Sequence, residues 1–419
     1  MEIKYSIRLT TFSNGERYPL LLNQQGQPHW YATLYATTQI RNASKASNTI
    51  VAVLSAIRIL ISWALSRDQD IESRFSQRRF LNEHELESLR QYTQLIKAKE
   101  PSNQKITSMS KRVEDIRGSI RVSEDRISGS TQYIRMTYIA DYIEWLAINL
   151  IERDAKQIDE ESLKAIKKMS FGIRERRPQK ITKSRENARK GLTKQQQEVL
   201  LNLITPKSEG NPFSAEVQIR NQLIILLLYH LGLRAGELLA LRISDFDFQK
   251  NTLLVARRHD NLGDSRTYQP VVKTFDRRLP LSNQLIKFVS DYVIGIRYKI
   301  KAANQHDYLF VVHQTGPFLG QPLSLKGLAK IFQEIKNSSP NLLNHLTPHI
   351  LRHTANDRFS ELMDKRGANS AEEDKMRSYI MGWKEGSGTA ATYTRRHIEN
   401  KAREAALLLQ ERIKGNNNA

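Results

Sequence analysis

LTPHILRHT, Leu346 to Thr354, carries the densest chemistry in the chain. Thr347 and Pro348 are the residue types of a helix N-cap and first helical position, so a helix is expected from Pro348 onward. On that helix His349 and Arg352 lie three apart and share a face. His349 and His353 stand at i, i+4, a spacing that can bind zinc. The glutamate of a metalloprotease motif is missing between them, however, and no third ligand is evident, so no metal site is expected. A His/Arg pair facing a phosphate fits the rest of the chain better.

The charge of the chain is the reason. Over 419 residues there are 65 Lys and Arg against 44 Asp and Glu, a net +21. A surface this basic points to a polyanion, because lysine and arginine gain affinity by displacing counterions from phosphates. The competing reading is a basic protein that is merely soluble. Cysteine is absent, which excludes disulfides, thiolate zinc sites and a cysteine nucleophile and suits a reducing cytoplasm. No run reaches the roughly 18 apolar residues of a membrane span. The longest apolar stretch, LIILLLYHLGL from Leu223 to Leu233, reads as a buried helix. No signal peptide and no membrane partner are expected.

The length calls for two or three domains. Residues 1–44 read as a small β-rich unit, because SIRLTTF and PHWYATLYATT are rich in Thr, Tyr and other aromatics with turn residues between them. Residues 45–170 read as a helical domain. Ile50, Leu54, Ile57, Ile61 and Leu65 recur at helical spacing, as do Ile134, Tyr138, Tyr142, Leu146 and Leu150. Residues 171–190 are strongly basic with few apolar positions and read as an exposed linker, either solvated or lying along a phosphate backbone. A last unit, 191–419, opens with Thr193 as N-cap. It mixes helices with strands expected in NTLLVARR, YQPVVKTFDRRLPL and DYLFVV. No internal repeat, P-loop or dinucleotide-binding glycine motif is present.

Three further places carry unusual chemistry. In GLRAGELLAL, Arg234 sits in a Gly-flanked turn, where a guanidinium can clamp a phosphate or pair with Glu237. In PVVKTFDRRLPL, Lys273 ends a β-branched run and is expected to project from a hairpin, where it is either solvated or a proton donor. In GWKEGSGTAATYTRRHI, Gly382 and Trp383 precede Tyr393, which taken alone reads as a packing residue at a helix edge.

The order decides among these readings. Arg234, Lys273, His349-x-x-Arg352, Gly382–Trp383 and then Tyr393 resemble the catalytic set of the tyrosine recombinase (phage integrase) family, over about 190–415. That resemblance implies a multidomain, mainly α fold with small β elements: a helical core-binding domain plus a mixed α/β catalytic domain. It implies that Arg234 and Arg352 hold the non-bridging oxygens of the scissile phosphate and that His349 assists as acid/base or hydrogen-bond donor. Lys273 would protonate the departing 5′-hydroxyl, and Tyr393 would attack phosphorus to give a 3′-phosphotyrosyl bond. No cofactor or metal is implied, and the partner is double-stranded DNA, bound by a homotetramer on two sites. Two features depart from the pattern. Trp383 stands where the family most often has histidine, although an indole N–H can still donate to a phosphate. The interval MDKRGANSAEEDKMRS between Arg352 and Tyr393 is long and suggests an inserted loop. His353 has no counterpart in the set and reads as structural. Glu237 reads as orienting Arg234. The rival functions are a type IB topoisomerase-like relaxing enzyme and a non-catalytic DNA-binding protein of the same fold.

Overall fold

The computed structural model describes residues 5–43, 47–95, 126–155, 157–179, 191–258, 261, 263–270, 272, 274–386 and 395–411. The chain divides into two compact units, one of Met1–Phe12 with Arg17–Lys183 and the other of Ser13–Glu16 with Ser184–Ala419.

The first unit starts with an antiparallel pair, β1 (Ser6–Thr11) and β2 (Arg17–Leu22), in register from Ser6 opposite Leu22 to Thr11 opposite Arg17. The second expected strand is a helix. PHWYATLYATT forms α1 (Trp30–Tyr35), which runs on as a π-helical stretch over Ala36–Arg41. Aromatic and threonine content suggested a strand, but Ala32, Tyr35, Ala36 and Ile40 fall at helical spacing and are buried together. They join the same core as Tyr18 and Leu21. The rest of this unit is α2 (Ser47–Leu65), α3 (Ile71–Ser76), α4 (Glu83–Gln94), α5 (Gly129–Ala155) and α6 (Glu160–Glu175). α2 and α5 supply the apolar centre through residues such as Leu54, Ile57, Ile139 and Leu146. By length and composition α2 could cross a membrane, but half of that stretch is buried in this core. Asp70, Asn82 and Asp159 cap α3, α4 and α6, each accepting backbone N–H bonds at the exposed helix start.

The expected basic linker starts later than its composition suggested. α6 continues to Glu175. Arg174 pairs with Asp141 at 2.7 Å and Glu144 at 3.0 Å, and Arg177 lies 4.5 Å over the Tyr133 ring. These cations hold α6 to α5. Residues 180–190 are outside the described residues.

In the second unit Thr193 caps α7 (Lys194–Leu203) with a reciprocal bond from Gln196, as its sequence pattern requires. α8 (Ala215–Leu231) is apolar and buried over most of its second half, with Ile224, Ile225, Leu227 and Leu228 each 0% exposed. α9 (Ala235–Ala240) follows, then a three-stranded antiparallel sheet of β3 (Phe246–Asp247), β4 (Thr252–Val255) and β5 (Arg277–Pro280), in that order. Among the described residues of YQPVVKTFDRRLPL, only the end forms a strand. Beyond the Val255–Arg277 pair, the Arg257 N–H donates to the Asp276 carboxylate at 2.6 Å, so a side chain takes the next ladder position. DYLFVV makes only isolated bridges, at Tyr308 and Val311. The helices α10 (Asn283–Gly295), α11 (Leu325–Ser338), α12 (Pro340–Leu343), α13 (Pro348–Lys365), α14 (Ser370–Met381) and α15 (Arg395–Glu411) complete the unit. The expected inserted loop is helical. α13 runs to Lys365, and Asn369 caps α14 with a reciprocal bond from Glu372.

Candidate active site

Three segments that are distant in sequence meet at one carboxylate, and a fourth, the end of α14, is bonded to two of them. α8 ends at Gly232, whose φ of +60° suits glycine. A Cβ there would stand 3.0 Å from the Met381 methyl and 3.1 Å from the Ala355 Cβ. Arg234 then caps α9: its backbone N–H donates to Glu237 Oε2 at 3.0 Å and its Nη1 to Oε1 at 3.2 Å. The Arg234 side chain is 30% exposed. Its guanidinium makes no other hydrogen bond among the described residues, which leaves donors for an anion.

Glu237 is fully buried, and it holds more than Arg234. Thr274 Oγ1 donates to Oε1 at 2.7 Å and Arg277 Nη2 to Oε2 at 2.8 Å. Arg352 Nη1 stands 3.8 Å from Oε2. Burial by itself would raise the Glu237 pKa, but Arg277 and Arg352 outweigh it, and the Arg277 and Thr274 hydrogen bonds add to them, holding it at about 2. Three guanidiniums thus converge on one carboxylate, and the surplus positive charge favours an anion at the exposed Arg234 edge.

Arg277 was not flagged by the sequence. It lies on β5, where Arg277 and Leu279 point inward and Arg278 and Pro280 outward, so the two-residue period of RRLP was the available signal. Besides Glu237, it donates from Nε to the Ile380 carbonyl at 2.7 Å and from Nη1 to Thr274 Oγ1 at 3.0 Å. It therefore joins the sheet, α9 and the end of α14.

α13 begins as read, with Thr347 Oγ1 accepting the Ile350 N–H at 3.2 Å and Pro348 in the first turn. Arg352 was expected to face a phosphate, but it is 0% exposed. Its Nη1 donates to the Gly232 carbonyl at 2.5 Å and its Nη2 to the Met381 carbonyl at 3.0 Å. Its guanidinium lies 5.2 Å over the Trp383 ring. Here Arg352 pins the α8 end to the α14 end. His349, on the first turn of α13, is half-buried and meets His353 edge-on with ring centroids 4.8 Å apart. His353 is buried, consistent with a structural role.

α14 ends at Gly382, with φ +64°. The Phe275 N–H donates to the Gly382 carbonyl at 3.2 Å, and a Cβ at Gly382 would lie 2.8 Å from both Arg277 Nη1 and Thr274 Cβ. Trp383 follows, 8% exposed, packed with Ala355 and Met381. α14 is fixed in turn by Arg377, 1% exposed, which donates to the Asn356 carbonyl at 3.1 Å and Ser360 Oγ at 2.8 Å and pairs with Glu373. Arg234, Arg352 and Trp383 are thus brought together. Lys273 and Tyr393 lie outside the described residues, although Thr274 and Phe275, directly after Lys273, are both bonded into this cluster.

The phage integrase family model matches residues 190–399. Over 174 residues the chain is 31% identical to tyrosine recombinase XerD of Halalkalibacterium halodurans, covering 42% of this chain and 49% of that protein. Over 135 residues it is 31% identical to transposase A from transposon Tn554 of Staphylococcus aureus, covering 32% of this chain and 34% of the relative. The chain spans about half the length, or less, of these curated relatives. Among solved structures, the XerH recombinase bound to difH in a pre-cleavage complex is similar with a TM-score of 0.41 and 16% identity, over 89% of this chain and 93% of that one. The Tn1549 transposon integrase with right-end DNA gives a TM-score of 0.38 and 17% identity, over 66% of this chain and 92% of that one.

Proposed function

Because this chain belongs to the phage integrase family, we propose that it is a site-specific DNA recombinase that cleaves and rejoins strands through a 3′-phosphotyrosyl intermediate. The observation that carries this reading is the Glu237 cluster. It lies within the matched span, holds three guanidiniums to one carboxylate, and keeps Arg234 open at its edge. A net charge of +21 supports double-stranded DNA as the partner.

In this reading Arg234 binds one non-bridging oxygen of the scissile phosphate. Arg352 exchanges a carbonyl partner for the other, and His349 donates to the same group. The Tyr393 hydroxyl oxygen attacks phosphorus and its proton leaves to solvent or a neighbouring base. The bond to the 5′-oxygen breaks, and Lys273 supplies the proton that makes it a 5′-hydroxyl. Attack by a 5′-hydroxyl of a second strand reverses each step, releasing Tyr393 and conserving the phosphodiester energy. The guanidiniums stabilise charge that grows on the phosphoryl oxygens in the transition state, and a tyrosine with an ordinary pKa near 10 needs such a site to react.

The helical first unit acts as a DNA clamp, and four chains assemble on two sites. The protein works in the cytoplasm at the nucleoid. The test is to capture covalent protein–DNA junctions, sequence them, and place two copies of the captured site on one supercoiled plasmid. Rearranged or resolved plasmids support recombination. Relaxation with no exchange of flanking sequence assigns the chain to type IB topoisomerase chemistry instead.

A further inference from the structure

The first unit contains a cavity of about 340 Å³ between the hairpin, α2, α3 and α5. Its character is opposite to that of the chain as a whole. Asp68, Asp70 and Glu72 line it, and among the described residues no lysine or arginine does. Leu60, Ala64 and Leu146 give it an apolar wall, each no more than 3% exposed.

The carboxylates are not equally compensated. Asp70 caps α3, its Oδ1 accepting the Glu72 N–H at 3.0 Å and the Ser73 N–H at 3.3 Å. Glu72 has no such support. Its partner is His29 Nε2 at 3.5 Å. His29 uses Nδ1 to accept the Ala32 N–H at 3.4 Å, and burial lowers its pKa, so it meets Glu72 as a neutral ring. Burial and the Asp70 charge push Glu72 up to about 7, against the pull of Arg153.

Tyr142 supplies the independent observation. It lines the cavity, is 1% exposed, and its hydroxyl hydrogen-bonds to no described residue. Burial raises its pKa first and the Glu72 charge second. With no described protein partner, that hydroxyl oxygen can accept from a donor bound in the cavity.

We propose that this cavity binds a protonated alkylamine, with the ammonium between the Glu72 carboxylate and the Tyr142 hydroxyl oxygen and the alkyl chain against Leu60, Ala64 and Leu146. An ammonium has three donors and no acceptor, which matches a carboxylate, a phenol oxygen and Asp68 at the mouth. The size suits a small ligand. The same group could come from a free aliphatic amine or from a lysine side chain of a partner protein.

Saturation-transfer NMR on the full chain without DNA, near pH 8, separates these sources. The probes are n-butylamine, Nα-acetyl-lysinamide and the neutral isostere n-butanol. Saturable binding of n-butylamine is expected, with n-butanol far weaker and Glu72→Gln weaker by about tenfold. Asp68→Asn, at an exposed position with φ +54° that asparagine accepts, should weaken binding without touching the fold. Equal binding of acetyl-lysinamide assigns the site to a lysine side chain, and its exclusion assigns it to a free amine. The proposal is overturned if n-butanol binds as tightly as n-butylamine, or if both carboxylate variants retain full amine affinity. No DNA enters the experiment, so its outcome is independent of the recombinase reading.

Discussion

Arg277 Nη2 donates to Glu237 Oε2 at 2.8 Å, with the two side chains 1% and 0% exposed. The pair joins β5 to α9, and through the Ile380 carbonyl to the end of α14. Removing one member leaves the other charge buried, which costs about 3–5 kcal/mol in comparable pairs. Arg277→Met is therefore expected to lower stability by about 3 kcal/mol in urea unfolding followed by circular dichroism. Adding Glu237→Gln should cost less than the two single losses summed. Additive losses would mean that the two side chains do not interact.

The same carboxylate predicts an acid limit. The Glu237 pKa is about 2 in the fold against an ordinary 4.5. A depressed folded-state pKa gives stability that is present above pH 4.5 and is lost as pH falls toward 2. At about 1.4 kcal/mol per unit the shift corresponds to about 3 kcal/mol. Unfolding free energies measured between pH 5 and 2.5 should fall steeply for the native chain and less steeply for Glu237→Gln. Parallel profiles would contradict the assignment.

Gly382 and Gly367 separate backbone strain from lack of space. Both have left-handed φ, +64° and +67°. A Cβ at Gly367 meets nothing within 4 Å, whereas at Gly382 it meets Arg277 Nη1 and Thr274 Cβ at 2.8 Å. Gly367→Ala should cost about 1 kcal/mol for the backbone alone. Gly382→Ala should cost about 3 kcal/mol, because the Arg277 guanidinium must also move. Equal losses in thermal melting would show that Gly382 is needed only for its φ.

Legibility in the sequence followed how local each cause was. Caps are local, so Thr193 and Thr347 with Pro348 read correctly. α1 was misread because Trp, Tyr and Thr favour strands, while burial of Ala32, Tyr35 and Ile40 at helical spacing decides in favour of a helix. The interval before Tyr393 looked like a loop because α14 is polar. It is held by Arg377 reaching Asn356 and Ser360, contacts that no window of sequence contains. Arg277 escaped for the same reason, since its partner Glu237 lies forty positions away. The order of Arg234, His349, Arg352 and Trp383 was visible, but the withdrawal of Arg352 from solvent was not.

Arg234 tests the division between holding the fold and holding phosphate. It is partly exposed and shares Glu237 with two buried arginines. Arg234→Ala should change stability by less than about 1 kcal/mol, yet reduce DNA cleavage by about 100-fold or more. Cleavage of a radiolabelled duplex beside a melting curve checks both. A stability loss matching that of Arg277→Met would make Arg234 a structural residue instead.

The most direct measurement is covalent capture on a nicked duplex that loses its short 5′-hydroxyl fragment and so cannot be religated. The native chain should become attached to the DNA 3′ end, with the adduct peptide mapping to Tyr393, and Tyr393→Phe should form none. An adduct of undiminished yield with Tyr393→Phe, or none with the native chain on its mapped site, would contradict the account.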